Sequence, residues 1–201
     1  MVIFTSDNGG VGGYRALKLG IGDITSNAPL RGGKGMLYEG GIRVPLIIYW
    51  PGVTRPGTVC HEPVITSDLY PTIMEIAGAR GNPKHPVDGV SLVRLLKNPA
   101  AHLDRRALFW HFPGYLQANV RRGTWRTTPA GAIRCGNYKL IEFFEDGRIE
   151  LYNLAEDIGE KHNLAQRLPA KAAELHRMLR AWRSSIGAPM PARKQGQARQ
   201  P

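Results

Sequence analysis

Three stretches of the chain carry residues whose types and spacing could do chemistry. In "TSDNGG", Asp7 and Asn8 set a carboxylate beside an amide carbonyl. Both are hard oxygen donors of the kind that Ca²⁺ or Mg²⁺ takes. Asp7, Asn8, Gly9 and Gly10 also make good turn sequence, so composition alone serves either role. The second stretch, "LRGGKGMLYEGGIRVP", holds Lys34 and Glu39 between glycine pairs. A backbone with little bulk can turn N–H groups and an ammonium toward a tetrahedral oxyanion, and the bland alternative is a flexible surface loop. It is not a P-loop, because Gly35 rather than Ser or Thr follows the lysine and Ala28 stands at the first glycine position. "GGVGGY" fails as a dinucleotide fingerprint because Arg15 stands at the third glycine position. The third set is His61, His85, His102, His111, His162 and His176, none at a zinc-like spacing. His176 lies beside an apolar helical stripe and reads as structural. His111, inside "FWHFPGY", is flanked by aromatics on an expected strand; it is a candidate substrate contact, with packing the favoured reading.

The elements that must position these residues fall into blocks. Residues 1–104 mix short apolar strands with glycine-rich loops, as α/β proteins do. Val2, Ile3 and Phe4 form a strand-like run that leads directly into Asp7 and Asn8. In open α/β sheets, ligands gather at such strand ends. "VPLIIYW" is apolar almost throughout, as a strand buried on both faces of a parallel or mixed sheet would be. "SDLYPTIMEIAG" predicts a helix capped by Ser67 or Asp68, with Pro71 in its first turn and Gly78 at its end. "DGVSLVRLLKNP" adds a short one. Residues 105–187 change character. "RALFWHF", "GAIRCGNYKLIEFF" and "EDGRIELYNL" read as strands of a small antiparallel sheet. Leu168, Ala172, Leu175, Leu179, Trp182 and Ile186 then form one stripe of a helix that should lie on that sheet. Residues 188–201 read as a loose basic tail.

With 201 residues, 42% hydrophobic and 21% charged, the chain has the composition of a globular protein. No apolar run approaches the roughly 20 residues a membrane helix needs. No signal peptide is recognisable, so a compartment is not assigned. Two cysteines do not make a disulfide framework. The net charge of +11 raises nucleic acid as a partner. Seven basic residues and one acid from Lys171 onward carry more than half of it. No nucleic-acid recognition motif accompanies them, so a solvated basic face is expected and specific nucleic-acid binding is not.

"VIFTSDNGG", "LRGGKGMLYEGGIRVPLIIYWPG", "SDLYPTIMEIAG" and "GAIRCGNYKLIEFFEDGRIELYNLAEDIGEKHNLA" stand in the order found in sulfatases. Together they resemble the C-terminal portion of an arylsulfatase-type enzyme of the alkaline-phosphatase-like superfamily, from Met1 to about Gly187. The resemblance implies the C-terminal part of an α/β sandwich, followed by a small antiparallel sheet packed by a C-terminal helix. It implies hydrolysis of sulfate esters by metal-assisted sulfuryl transfer, with Asp7 and Asn8 as ligands of Ca²⁺ (Mg²⁺ as the alternative) and Lys34 contacting the sulfate. In that family a Cys or Ser in a Cys/Ser-x-Pro-x-Arg motif is oxidised to formylglycine, the nucleophile. Neither Cys60, followed by "HEPV", nor Cys135, followed by "GNYK", stands in such a motif. The expectation is therefore a chain that begins in mid-domain and is inactive alone, its partner a missing N-terminal half or a second copy. Phosphonate and phosphodiester hydrolases of the same superfamily share the Asp-Asn pair and form the first alternative. A non-catalytic basic anion-binding module is the second.

Overall fold

The computed structural model describes residues 1–82, 84–119 and 121–192. In chain order the elements are β1 (Val2–Thr5), α1 (Glu39–Ile42), β2 (Leu46–Tyr49), a 3₁₀ turn (Thr66–Asp68), α2 (Leu69–Ile76), α3 (Val93–Lys97), β3 (Leu108–Phe112), β4 (Leu116–Asn119), β5 (Thr124–Thr127), β6 (Ala130–Cys135), β7 (Tyr138–Phe143), β8 (Ile149–Asn153) and α4 (Pro169–Ser185). They cluster into two units, one of residues 1–6 and 45–108, the other of residues 7–44 and 109 onward. Among the described residues no helix is long and apolar enough to cross a membrane.

In the first unit β1 and β2 pair antiparallel, with Val2 opposite Tyr49 and Phe4 opposite Ile47. Strand alternation turns these four outward, all more than half exposed. Leu46 and Ile48 turn inward onto a core of Leu92, Leu95 and Leu103. This corrects the expectation for "VPLIIYW": the strand is antiparallel and covered on one face only. A continuous apolar run records which residues tolerate burial, not which faces are covered.

Helix α2 begins at Asp68, but not by the expected capping. The fully buried Asp68 carboxylate accepts from the backbone N–H of Ile65 and of Val90, both at 2.9 Å. Arg105 donates to both of its oxygens, at 2.7 and 2.9 Å. The side chain thus closes the 3₁₀ turn and ties down the α2–α3 connection, and it makes no cap bond to α2.

In the second unit the sheet runs β3-β6-β7-β8. β6 and β7 form a hairpin from Ala130 opposite Phe143 to Cys135 opposite Tyr138, and β8 adds antiparallel to β7. A shorter pair, β4–β5, stands apart from it. α4 packs on β6 and β7 as expected. Ala172, Leu175 and Leu179 are buried there, and Trp182 stacks on Phe109 with centroids 4.8 Å apart. Truncating either leucine to alanine should cost about 2–5 kcal/mol. The stripe is shorter than its sequence suggests, because Leu168 and Ile186 at its ends are exposed. Arg183 joins the buried side instead, donating to Glu142 at 2.7 Å, while His176 meets the other oxygen at 2.9 Å. Of the tail, residues 193–201 lie outside the described residues.

Candidate functional site

Both glycine-rich motifs belong to the second unit, and their glycines lie against one another. A Cβ at Gly9 would collide with the Gly40 carbonyl, and one at Gly33 with the carbonyls of Gly12 and Gly10. The backbone bonds follow this layering: Gly9 N–H donates to the Gly41 carbonyl and Lys34 N–H to the Gly10 carbonyl, both at 3.0 Å. The glycines therefore serve close approach of main chains, not the looseness read from their number. The segment that follows Asp7 and Asn8 and the segment that carries Lys34 are laced directly together.

Two side chains fix the lacing. The Asn27 amide accepts from Gly10 N–H at 3.1 Å and donates to the carbonyls of Gly10 and Gly32 at 2.9 and 3.0 Å. The Tyr14 hydroxyl donates to the Lys34 carbonyl at 2.9 Å from a wholly buried ring. Burial pushes its phenol above the ordinary tyrosine range, with Arg126 opposing and Asp23 reinforcing the rise. Neither residue stood out in the sequence. Asn27 reads as one more turn residue in "TSNAPL" and Tyr14 as one more aromatic. Only the pairing of distant segments gives them a task.

On this frame Asp7 and Lys34 are both exposed, and neither charged group has a hydrogen bond or ion pair among the described residues. Asn8 is half-buried and is held by an interaction of its own. Charged groups deeper in the unit are paired. Lys139, fully buried, lies 2.9 Å from Glu39 Oε1 and 2.8 Å from Glu160 Oε1. Glu160 Oε2 in turn accepts the Glu39 N–H at 2.7 Å. The remaining Glu39 oxygen accepts no hydrogen bond among the described residues and faces Arg43 at 3.6 Å. One lysine between two carboxylates leaves surplus negative charge in a dry place. Burial accordingly raises the Glu160 carboxyl, although Lys139 pulls the other way. The cluster joins α1, the end of the lysine loop, to β7 and to the turn after β8. Glu39, seen in the sequence only as part of a glycine-rich stretch, is thus a structural anchor.

His111 stands on β3. Its Nε2 lies 2.7 Å from the Pro189 carbonyl, its ring packs on Phe144, and its Nδ1 is buried with no hydrogen-bond partner among the described residues. No hydrogen bond or ion pair joins it to Asp7 or Lys34 among the described residues.

The donor set around Asp7 fits a hard divalent cation in kind, since a carboxylate with no partner among the described residues and an amide are both oxygen ligands. It is small in number. No group of three or more His, Cys, Asp or Glu side chains among the described residues could hold a metal by itself, and Ca²⁺ takes six to eight oxygens.

Comparison with known proteins gives the family of the chain. Residues 33–185 match the family described as N-sulphoglucosamine sulphohydrolase, C-terminal. A sulfatase of Formosa agariphila is 41% identical over 94% of this chain and 34% of its own length. The crystal structure of Ps i-CgsB in complex with k-i-k-neocarrahexaose superposes with TM-score 0.67 at 28% identity, over 90% of this chain and 36% of that one. A phosphonate monoester hydrolase from Silicibacter pomeroyi superposes with TM-score 0.58 at 28% identity, over 76% and 31%. The chain spans about a third of the length of this Formosa agariphila relative. The glycine lacing, the lysine loop and the sheet carrying α4 fall within or beside the matched span, and the chain belongs to the sulfatases, in the family of N-sulphoglucosamine sulphohydrolase C-terminal domains.

Proposed function

We propose that this chain supplies the C-terminal part of a sulfate ester hydrolase, with Asp7 and Asn8 as oxygen ligands of a divalent cation and Lys34 as the contact to the sulfate group. One observation carries the reading. Asp7 and Lys34 are exposed charges with no partner among the described residues, borne on two segments that the Lys34–Gly10 hydrogen bond holds side by side. A bound cation, Ca²⁺ or alternatively Mg²⁺, would neutralise charge building on sulfuryl oxygens. The Lys34 ammonium, a compact point charge with three donors, would hold the sulfate against its backbone. Tyr14 and Asn27 keep that backbone in place. Formylglycine would be the attacking group, and these 201 residues hold no Cys/Ser-x-Pro-x-Arg motif to form it. The chain alone is therefore expected to bind sulfate esters without turning them over.

The test uses the purified chain, calorimetric titration with Ca²⁺ and then with phenyl sulfate, and 4-nitrocatechol sulfate for turnover. Weak Ca²⁺ binding lost in Asp7→Ala, sulfate-ester binding lost in Lys34→Ala, and no turnover above the buffer blank are the expected results. Ca²⁺ binding indifferent to Asp7→Ala and Asn8→Ala would remove the metal assignment. Turnover abolished by Lys34→Ala would reveal a nucleophile within the chain. Tighter binding of phenylphosphonate than of phenyl sulfate would move the site to the phosphonate hydrolases.

A further inference from the structure

The two units differ in what they show to solvent. The unit of residues 1–6 and 45–108 is about a third of the chain. It holds nine of the sixteen large apolar side chains that are exposed among the described residues. It also carries seven basic and five acidic residues, which leaves it only +2 of the chain's +11. Apolar exposure and net charge are thus sorted into different units. On the β1–β2 pair the exposed side chains form an ordered patch. Val2 stands opposite Tyr49 and Phe4 opposite Ile47, and cross-strand neighbours of this kind touch on one face. All four are 55–63% exposed. Neither strand contains a charge, a proline or a bulge, the devices by which exposed strands ordinarily resist association. Nothing on the patch attracts a nucleic acid or an acidic peptide. Its complement is another apolar surface.

The arrangement of the four side chains selects one such surface. The two rings, Phe4 on β1 and Tyr49 on β2, occupy one diagonal of the patch, and Val2 and Ile47 occupy the other. Consider a second copy laid face to face about a two-fold axis that runs along the strands. Each β1 then lies over the other copy's β2, so Phe4 meets isoleucine and Tyr49 meets valine. An axis across the strands exchanges the pairs, with Phe4 over valine and Tyr49 over isoleucine. In neither case does ring oppose ring. Large side chains set against small ones are how two sheet faces interdigitate. The patch is therefore complementary to itself under a closed symmetry. A buried aromatic side chain contributes about 150–250 Å², so four side chains at this exposure offer on the order of 400 Å² per copy. That is roughly half of what a standard interface buries on each partner, which makes the pair weak and reversible.

We propose that the outer face of the β1–β2 pair is the docking surface for a second copy of this chain, giving a weak two-fold dimer built on Val2, Phe4, Ile47 and Tyr49. The dimer does not depend on the roles given to Asp7, Asn8 and Lys34.

The experiment is sedimentation velocity of the full chain from about 1 μM to about 200 μM, a range that brackets weak association. Phe4→Lys, Val2→Lys and Ile24→Lys are run beside it, with melting temperatures recorded for each. Ile24 is the control, since it is 86% exposed but belongs to the other unit. The parent should pass from monomer to dimer with rising concentration and stop there. Phe4→Lys should raise the dissociation constant at least roughly tenfold, because it sets an unpaired charge in the centre of the contact. Val2→Lys, at the chain end, carries the same test should Phe4→Lys melt early. Ile24→Lys should leave the constant within about twofold, as a residue outside the contact does. Each copy carries +11, so screening should tighten the dimer as NaCl rises from about 0.05 to about 0.5 M. A monomer throughout the range overturns the proposal and leaves the face to an unlike chain. Species growing beyond two copies overturn the closed symmetry. Equal losses in Ile24→Lys and Phe4→Lys overturn it as well, since association is then general stickiness. So does a dimer that falls apart as salt rises, which would be held by ion pairs.

Discussion

The Tyr14 hydroxyl donates to the Lys34 carbonyl at 2.9 Å, so a buried phenol holds the backbone of an exposed ammonium. Tyr14→Phe keeps the ring and strands the carbonyl. A loss of about 1–3 kcal/mol in stability is expected, together with weaker sulfate-ester binding. Urea denaturation and calorimetry measure the two separately. Unchanged stability with unchanged binding would mean that the carbonyl finds water instead.

Glycine layering predicts a sharp contrast between positions. Gly33→Ala places a methyl group on the carbonyls of Gly12 and Gly10 and within 2.8 Å of Asn27 Nδ2. The main chains must separate, and loss of several kcal/mol, on the scale of overpacking or more, is expected. Gly81→Ala meets nothing within 4 Å and should be neutral or slightly stabilising through the unfolded chain. Thermal melts of the two variants decide it; equal melting temperatures would contradict the layering.

Lys139→Met removes the cation shared by two buried carboxylates. Breaking a buried pair this way costs about 3–5 kcal/mol. The raised Glu160 carboxyl takes up its proton more readily in the folded chain than in the unfolded one. The deficit should therefore shrink as pH falls from neutral toward the ordinary carboxylate range, and a deficit that does not change with pH would argue against ionised carboxylates in the variant.

Glu142 moves in the opposite direction. Burial alone would raise its carboxyl, but the Arg183 hydrogen bond and the His176 imidazole beside it outweigh burial and hold the group below the ordinary range. A lowered folded pKa contributes stability that is present above the unfolded value, about 4.3, and is lost as pH falls through the folded value. Glu142→Gln should be less stable than the parent at neutral pH, and the difference should close below about pH 4. A constant gap across acid titration would show that the three groups do not act through charge.

Much of the second unit could be read from the chain. Strands β3, β6, β7 and β8 announce themselves by β-branched and aromatic runs separated by turn residues, and α4 by its spaced apolar positions. The β4–β5 hairpin was not legible, because "LQANVRRGTWRT" has arginines and small polar residues where alternation would be expected. Its strands are held by neighbouring loops and carry register irregularities. At the site, Asp7, Asn8 and Lys34 were visible as residue types. Asn27 and Tyr14 were not, because each acts across a gap in sequence on a backbone atom that no local pattern encodes. The grouping of residues 7–44 with the later sheet is likewise a property of contacts and not of chain order.

Gly9, Gly33 and Gly41 each place an α-carbon where another main-chain carbonyl leaves no room for a methyl group. A loop built this way cannot acquire side chains at those positions without losing its shape, so its repertoire for adapting to new ligands is nearly closed. Variation in what such a protein accepts must enter through surfaces that still have room, such as the exposed faces of the adjoining hairpin. The rigid loop and the permissive hairpin thus divide the work of inheritance: one resists substitution, and the other can absorb it.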